Sequence, residues 1–143
     1  MSSAPKHKAA AVWLALLVGV FGMHRFYLHG LKDRWGWLFP LPTLLGLAGV
    51  QRMSQLGQDD RLAWLLIPLL GLSLVAALLG GIVYGLTSDE RWNARFNAGQ
   101  PTPTSGWAAI IGVVFCLLIG GTTLMATIAF SAQRYFESQV ETP

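Results

Sequence analysis

Leu62–Leu86 reads LAWLLIPLLGLSLVAALLGGIVYGL, a run with no Asp, Glu, Lys or Arg. As a helix it reaches roughly 36 Å, enough to cross a hydrocarbon core of about 30 Å with some tilt. Trp107–Phe130, WAAIIGVVFCLLIGGTTLMATIAF, is equally free of charge and of similar reach. Outward from these two, Ala9–Met23 and Trp35–Val50 are also apolar but extend only about 22 to 24 Å each, so they cross only if flanking residues join in.

Composition agrees with a membrane chain. Of 143 residues, 53% are hydrophobic and 12% charged, against roughly 25% charged in a soluble domain, and the mean hydropathy is +0.49. The expected fold is all-α: a polytopic membrane protein with four transmembrane helices arranged as two hairpins. The segments read as a basic N-terminal stretch (1–8), a helical hairpin (9–50), a polar loop (51–61), a second helix pair (62–130) with an interfacial loop at 87–106, and a polar tail (131–143). Net charge is +3, but the ten Lys and Arg residues stand singly between apolar runs, so membrane flanking explains them better than a nucleic-acid surface. The single cysteine, Cys116, excludes an intramolecular disulfide framework and a multi-cysteine zinc site. Basic Met1–Lys8 followed by an apolar run mimics a secretory signal, yet no small-x-small cleavage site follows, and an uncleaved first helix is expected.

Several residues modify this plan. Continuing the first helix through Leu28 restores about 30 Å and draws His24 and Arg25 to the membrane boundary. Pro40 and Pro42 remove backbone donors, which predicts an interfacial Leu31–Phe39 and a steeper helix from Thr43. Pro68 is expected to free the Trp64 carbonyl and kink its helix. The six tryptophans fall near run ends, as amphipathic rings do in the headgroup layer. Thr87 and Glu90 fit a capping box for a short membrane-lying helix with Trp92/Phe96 and Arg91/Arg95 at i,i+4 spacing, followed by a linker at Gly99–Gly106.

Small residues recur every four positions in both long runs: Ser73, Ala77, Gly81 and Gly85 in one, and Ala108, Gly112, Cys116 and Gly120 in the other. Such faces let backbones approach closely in lipid, so the two runs are expected to pack there. Ala11, Ala15 and Gly19 form a similar stripe whose partner the spacing does not choose.

The turn after the first run reads Gly19-Val-Phe-Gly22-Met-His24-Arg25-Phe26-Tyr27-Leu28-His29-Gly30. It resembles the TM-two domain family, a membrane hairpin whose short turn carries Gly-x-x-Gly-x-(His or Asp)-Arg-Phe-Tyr-Leu-Gly, over roughly residues 8 to 50. His29 is an insertion relative to that pattern, and Gln51 and Arg52 stand where the family often has an acid. The resemblance implies a membrane hairpin and carries no reaction with it.

An arginine at mid-membrane costs about 2.5 to 3.5 kcal/mol, so Arg25 needs water, a phosphate or a carboxylate. Asp33 is the acid within reach, and an Arg25–Asp33 pair is expected, with His24, Lys32 and Arg34 forming a basic collar that binds anionic headgroups or a partner's acidic segment. Phe26 and Tyr27 complete the motif as interface anchors. No metal or cofactor is expected, because His24 and His29 lack further ligands at suitable spacing.

All seven acids lie outside the apolar runs, which argues against a proton-coupled pump. The expected function is non-catalytic: the 24–34 turn and the packing faces bind lipid, another membrane protein or a second copy of the chain. An oligomeric pore lined by Thr122, Thr123 and Thr127 is the alternative, and a lipid-modifying enzyme using His24 the third. Lys and Arg divide five and five between the sides of a four-span arrangement, so the positive-inside rule does not choose. The resemblance implies a bacterial inner membrane with the 24–34 turn cytoplasmic and both termini outside.

Overall fold

The computed structural model describes residues 5–100 and 106–141. Residues 1–4, most of the 99–106 linker and the last two positions of the tail lie outside the described residues. Secondary structure among the described residues is wholly helical: α1 (Lys8–Val18), a 3-10 turn (Gly19–Phe21), α2 (Met23–His29), α3 (Arg34–Leu38), α4 (Pro40–Leu56), α5 (Arg61–Leu86), α6 (Asp89–Phe96) and α7 (Trp107–Glu141). Two of these, α5 and α7, are long and apolar enough to cross a membrane. The polar tail extends α7 to Glu141.

α5 is the central element, in contact with α1, α4 and α7. The α4–α5 pair is an antiparallel hairpin whose register is fixed by small residues. Thr43 meets Ser73, a Cβ at Gly46 would collide with the Leu70 side chain, and one at Gly49 would lie 2.6 Å from the Leu66 Cβ. Arg52 pairs with Asp60 across the closing bend at 2.8 Å. α7 runs back along α5, with Cys116 against Gly81, Gly120 against Leu78, and Thr127 against Gly71.

The expectation that the first helix continues through Leu28 is corrected. α1 ends at Val18, and Gly22 takes the left-handed conformation (φ 78°) that lets the chain reverse. α2 then returns beside α1: the His7 N–H donates to the Tyr27 hydroxyl at 2.9 Å, and Leu28 packs with Ala11 and Trp92. A Cβ at Gly19 would lie 2.7 Å from that of Ala77, so the reversal sits about 14 Å short of the Leu86 end of α5. The physical reason is that glycines at 19 and 22 permit a reversal that a through-going helix would not use.

A backbone reversal in an apolar setting leaves carbonyls to satisfy. Thr43 and Ser73 supply the answer together: the single Thr43 hydroxyl proton has the Val20 oxygen at 2.7 Å and the Phe39 oxygen at 2.9 Å as acceptors, and the Ser73 hydroxyl, 2.7 Å from that of Thr43, lies 3.4 Å from the Phe39 oxygen. Phe39 is where α3 gives way to α4. The expected break near the two prolines is therefore present, but the longer helix begins at Pro40 rather than Thr43, since proline is tolerated in a first turn whose N–H groups are unpaired anyway.

Candidate functional site

Each motif residue has a local task. Gly22 faces α3: a Cβ there would collide with the Gly36 carbonyl oxygen. Gly36 in turn has no side chain because the Phe26 ring occupies that space, with a Cβ at Gly36 falling 2.6 Å from the ring. Phe26 also stacks on Trp37, centroids 5.0 Å apart. Tyr27 accepts from the chain start and carries Lys6 over its ring at 4.9 Å.

Arg25 and Asp33 do pair. The Nε–H donates to Oδ2 at 2.7 Å, with the two side chains 26% and 10% exposed, and Oδ1 accepts from the Trp35 N–H to cap α3. The Arg25 guanidinium holds the Asp33 carboxyl below its ordinary range, an effect that the hydrogen bond dominates. Lys32 and Arg34 flank the pair and are exposed. His24 does not join this collar. It is 2% exposed, edge-on to Phe39 at 5.1 Å and beside Tyr84 at 6.0 Å, because the reversal at Gly22 turns it inward beneath Gly19.

α6 was expected to lie on the membrane with a Thr87/Glu90 box. The cap is instead Ser88, whose hydroxyl accepts from the Arg91 N–H at 3.4 Å, while the Thr87 hydroxyl donates back to the Val83 carbonyl. Ser88 is better placed because Thr87 is still the closing residue of α5. α6 docks onto the bundle end, burying Trp92 and Asn93. Asn97 holds the chain start as a strand partner would: its Oδ1 accepts from the Lys6 N–H at 2.6 Å and its Nδ2 donates to the Lys6 carbonyl at 2.9 Å. Lys8 donates to the Thr87 carbonyl at 2.7 Å and pairs with Asp89 at 2.8 Å, a cation at a helix C-terminus where the dipole favours it. The sequence signal for this end plate was the Trp92/Phe96 pair, and the Trp92 indole N–H donates to the Lys6 carbonyl at 2.9 Å; Lys8 and Asn97 have no spacing that names either as a partner.

The packing residues distribute over three helices. Ser73 goes to α4 through Thr43, Ala77 meets Gly19, Gly81 meets both Ala15 and Cys116, and Gly85 meets Val113 and Val12. Gly112 faces Val12 and Trp13 of α1. Ala108 is exposed and contributes its carbonyl to the Trp13 indole N–H at 2.9 Å, while Ala109 is the buried neighbour. In the stripe Ala11, Ala15, Gly19, the first packs with Leu28 of α2 and Trp92 of α6, and the other two face Gly81 and Ala77 of α5.

Residues 4–52 match the family model described as the TM2 domain. That is about a third of the chain, and it ends within α4. No curated protein and no solved structure matches the chain significantly. The matched segment is not self-contained: Thr43 of α4 reaches back to Val20, but Gly46 and Gly49 of α4 face α5, beyond the matched residues. His29 stacks on Phe96 of α6 at 5.9 Å, and Arg52 takes Asp60 as its partner.

Proposed function

We propose that this is a non-catalytic membrane protein that crosses the bilayer three times, through α3–α4, α5 and α7, with α1 and α2 as a re-entrant pair reaching part-way in. The observation that carries this reading is that Lys6 to Lys8, the 24–34 turn and α6 share one end of the bundle. Regrouped on that basis, Lys6, Lys8, Arg25, Lys32, Arg34, Arg91 and Arg95 stand at one end and Arg52, Arg61 and Arg134 at the other, seven of the ten against three. The positive-inside rule then makes the TM2-motif end cytoplasmic. α3 and α4 together cover residues 34–56, about 34 Å of helix, which suffices for a crossing.

Lys32, Arg34, Arg91 and Arg95 are exposed at that end, and each basic group near an anionic leaflet is worth about 1 kcal/mol of attraction. The function we infer is recognition of anionic headgroups at the cytoplasmic face by these four residues, with Arg25 committed to Asp33 as structure. A catalytic His24 is disfavoured by its burial, and a hydrated threonine path by Thr122 and Thr127, whose hydroxyls donate to carbonyls of their own helix. Native mass spectrometry from mild detergent tests the reading. Wild type should retain phosphatidylglycerol over phosphatidylcholine and a variant with all four residues changed to alanine should not; equal retention by both proteins would refute it.

A further inference from the structure

A groove runs between α5 and α7 at the end opposite the TM2 motif. Its mouth, about 440 Å³, is lined by Arg61, Trp64, Leu65, Pro68 and Arg134 with Ser131 and Ser138. A second cavity of about 470 Å³ shares Pro68 with it and is walled by Leu74, Ala126 and Phe130 together with Thr122, Thr123 and Thr127, of which Thr122 and Thr127 turn their hydroxyls to carbonyls of their own helix. From Arg61 to Leu74 the two cavities together cover about 20 Å along α5, against about 15 Å for one leaflet's half of the hydrocarbon core. A polar mouth above an apolar trough of that length has the dimensions of a headgroup with one acyl chain.

The mouth is charged in both senses. Arg134 bonds Glu137 at 2.7 Å and Arg61 reaches Glu141 at 3.3 Å, the latter pair exposed and so exchangeable at little cost. Glu137 takes only the Nη1 of Arg134, whose Nε–H is buried with no partner among the described residues. The guanidinium is held between the Trp64 and Phe130 rings at 5.2 and 5.3 Å, a fixed fork of the kind that grips phosphate. This end carries Arg52, Arg61 and Arg134 against Asp59, Asp60, Glu137 and Glu141, so it does not gather anionic lipid. The aromatic faces that would cradle a quaternary ammonium are already taken by Arg134, whereas Glu141 offers a hydrogen-bonding carboxylate to a primary one.

We infer that the α5–α7 groove binds a zwitterionic phospholipid with a primary ammonium, a phosphoethanolamine headgroup at Arg61, Arg134 and Glu141 with one acyl chain along Pro68 and Phe130. The test is native mass spectrometry of the delipidated full chain offered phosphatidylethanolamine, phosphatidylcholine and phosphatidylglycerol of matched chains. Wild type should retain phosphatidylethanolamine about tenfold over phosphatidylcholine. Glu141→Gln should erase that preference, Arg134→Gln should cut retention about tenfold, and Ala126→Phe should block the trough without touching the mouth. The quadruple alanine variant at Lys32, Arg34, Arg91 and Arg95 should leave this retention unchanged, which separates it from the cytoplasmic reading. Equal retention of the three lipids by wild type, or retention undiminished in both Arg134→Gln and Ala126→Phe, overturns the site; a misfolded Arg134→Gln leaves Ala126→Phe and Glu141→Gln to decide.

Discussion

Gly22 shows how much one residue of the motif constrains. Its positive φ alone is a conformation that asparagine adopts at modest cost, but its missing Cβ is also the space into which the Gly36 carbonyl fits. Gly22→Asn and Gly22→Ala should therefore destabilise alike, each by about 2 kcal/mol or more, in thermal unfolding in detergent; recovery by asparagine would mean that φ is the whole constraint. The Arg25–Asp33 pair has its own signature. Because the Asp33 carboxyl is held below its ordinary value, its contribution is full above that value, near pH 4, and fades as pH falls through the depressed one. Asp33→Asn should cost about 1 kcal/mol at neutral pH and remove that part of the acid-induced loss, read from unfolding at stepped pH. This pair was legible in the sequence because Asp33 is the sole acid near Arg25. The burial of His24 was not, since it depends on the reversal at Gly22 turning that side chain inward.

Among the elements, helices α5 and α7 could be read directly because uncharged runs of their length have few other uses. The α4–α5 register could not: Gly46 and Gly49 stand three apart in a short run, and only Thr43, bridging Val20, Phe39 and Ser73, shows why they face α5. Gly46→Leu and Gly49→Leu should each cost about 1 to 3 kcal/mol and weaken cysteine cross-linking between α4 and α5. Gly121→Leu, at a position with nothing within 4 Å, should leave both unchanged. If all three behave alike, the small residues of α4 are not its contact face.

At the scale of the molecule, the sequence gives a four-helix count because Ala9–Leu28 has the length and polarity of a span, and apolar length does not reveal a reversal inside it. The fold-back moves Lys6 and Lys8 to the side of Arg25, Lys32 and Arg34, which turns an undecided charge count into seven against three. Sidedness is therefore the most direct measurement. With Cys116 changed to serine, Pro5→Cys, Lys32→Cys and Gln55→Cys are introduced singly and probed with a membrane-impermeant maleimide in intact cells and after lysis. A re-entrant α1–α2 pair predicts that positions 5 and 32 are both protected until lysis while 55 labels from outside. Labelling of 5 and 32 from opposite sides of the membrane would contradict it and restore the first run as a complete span.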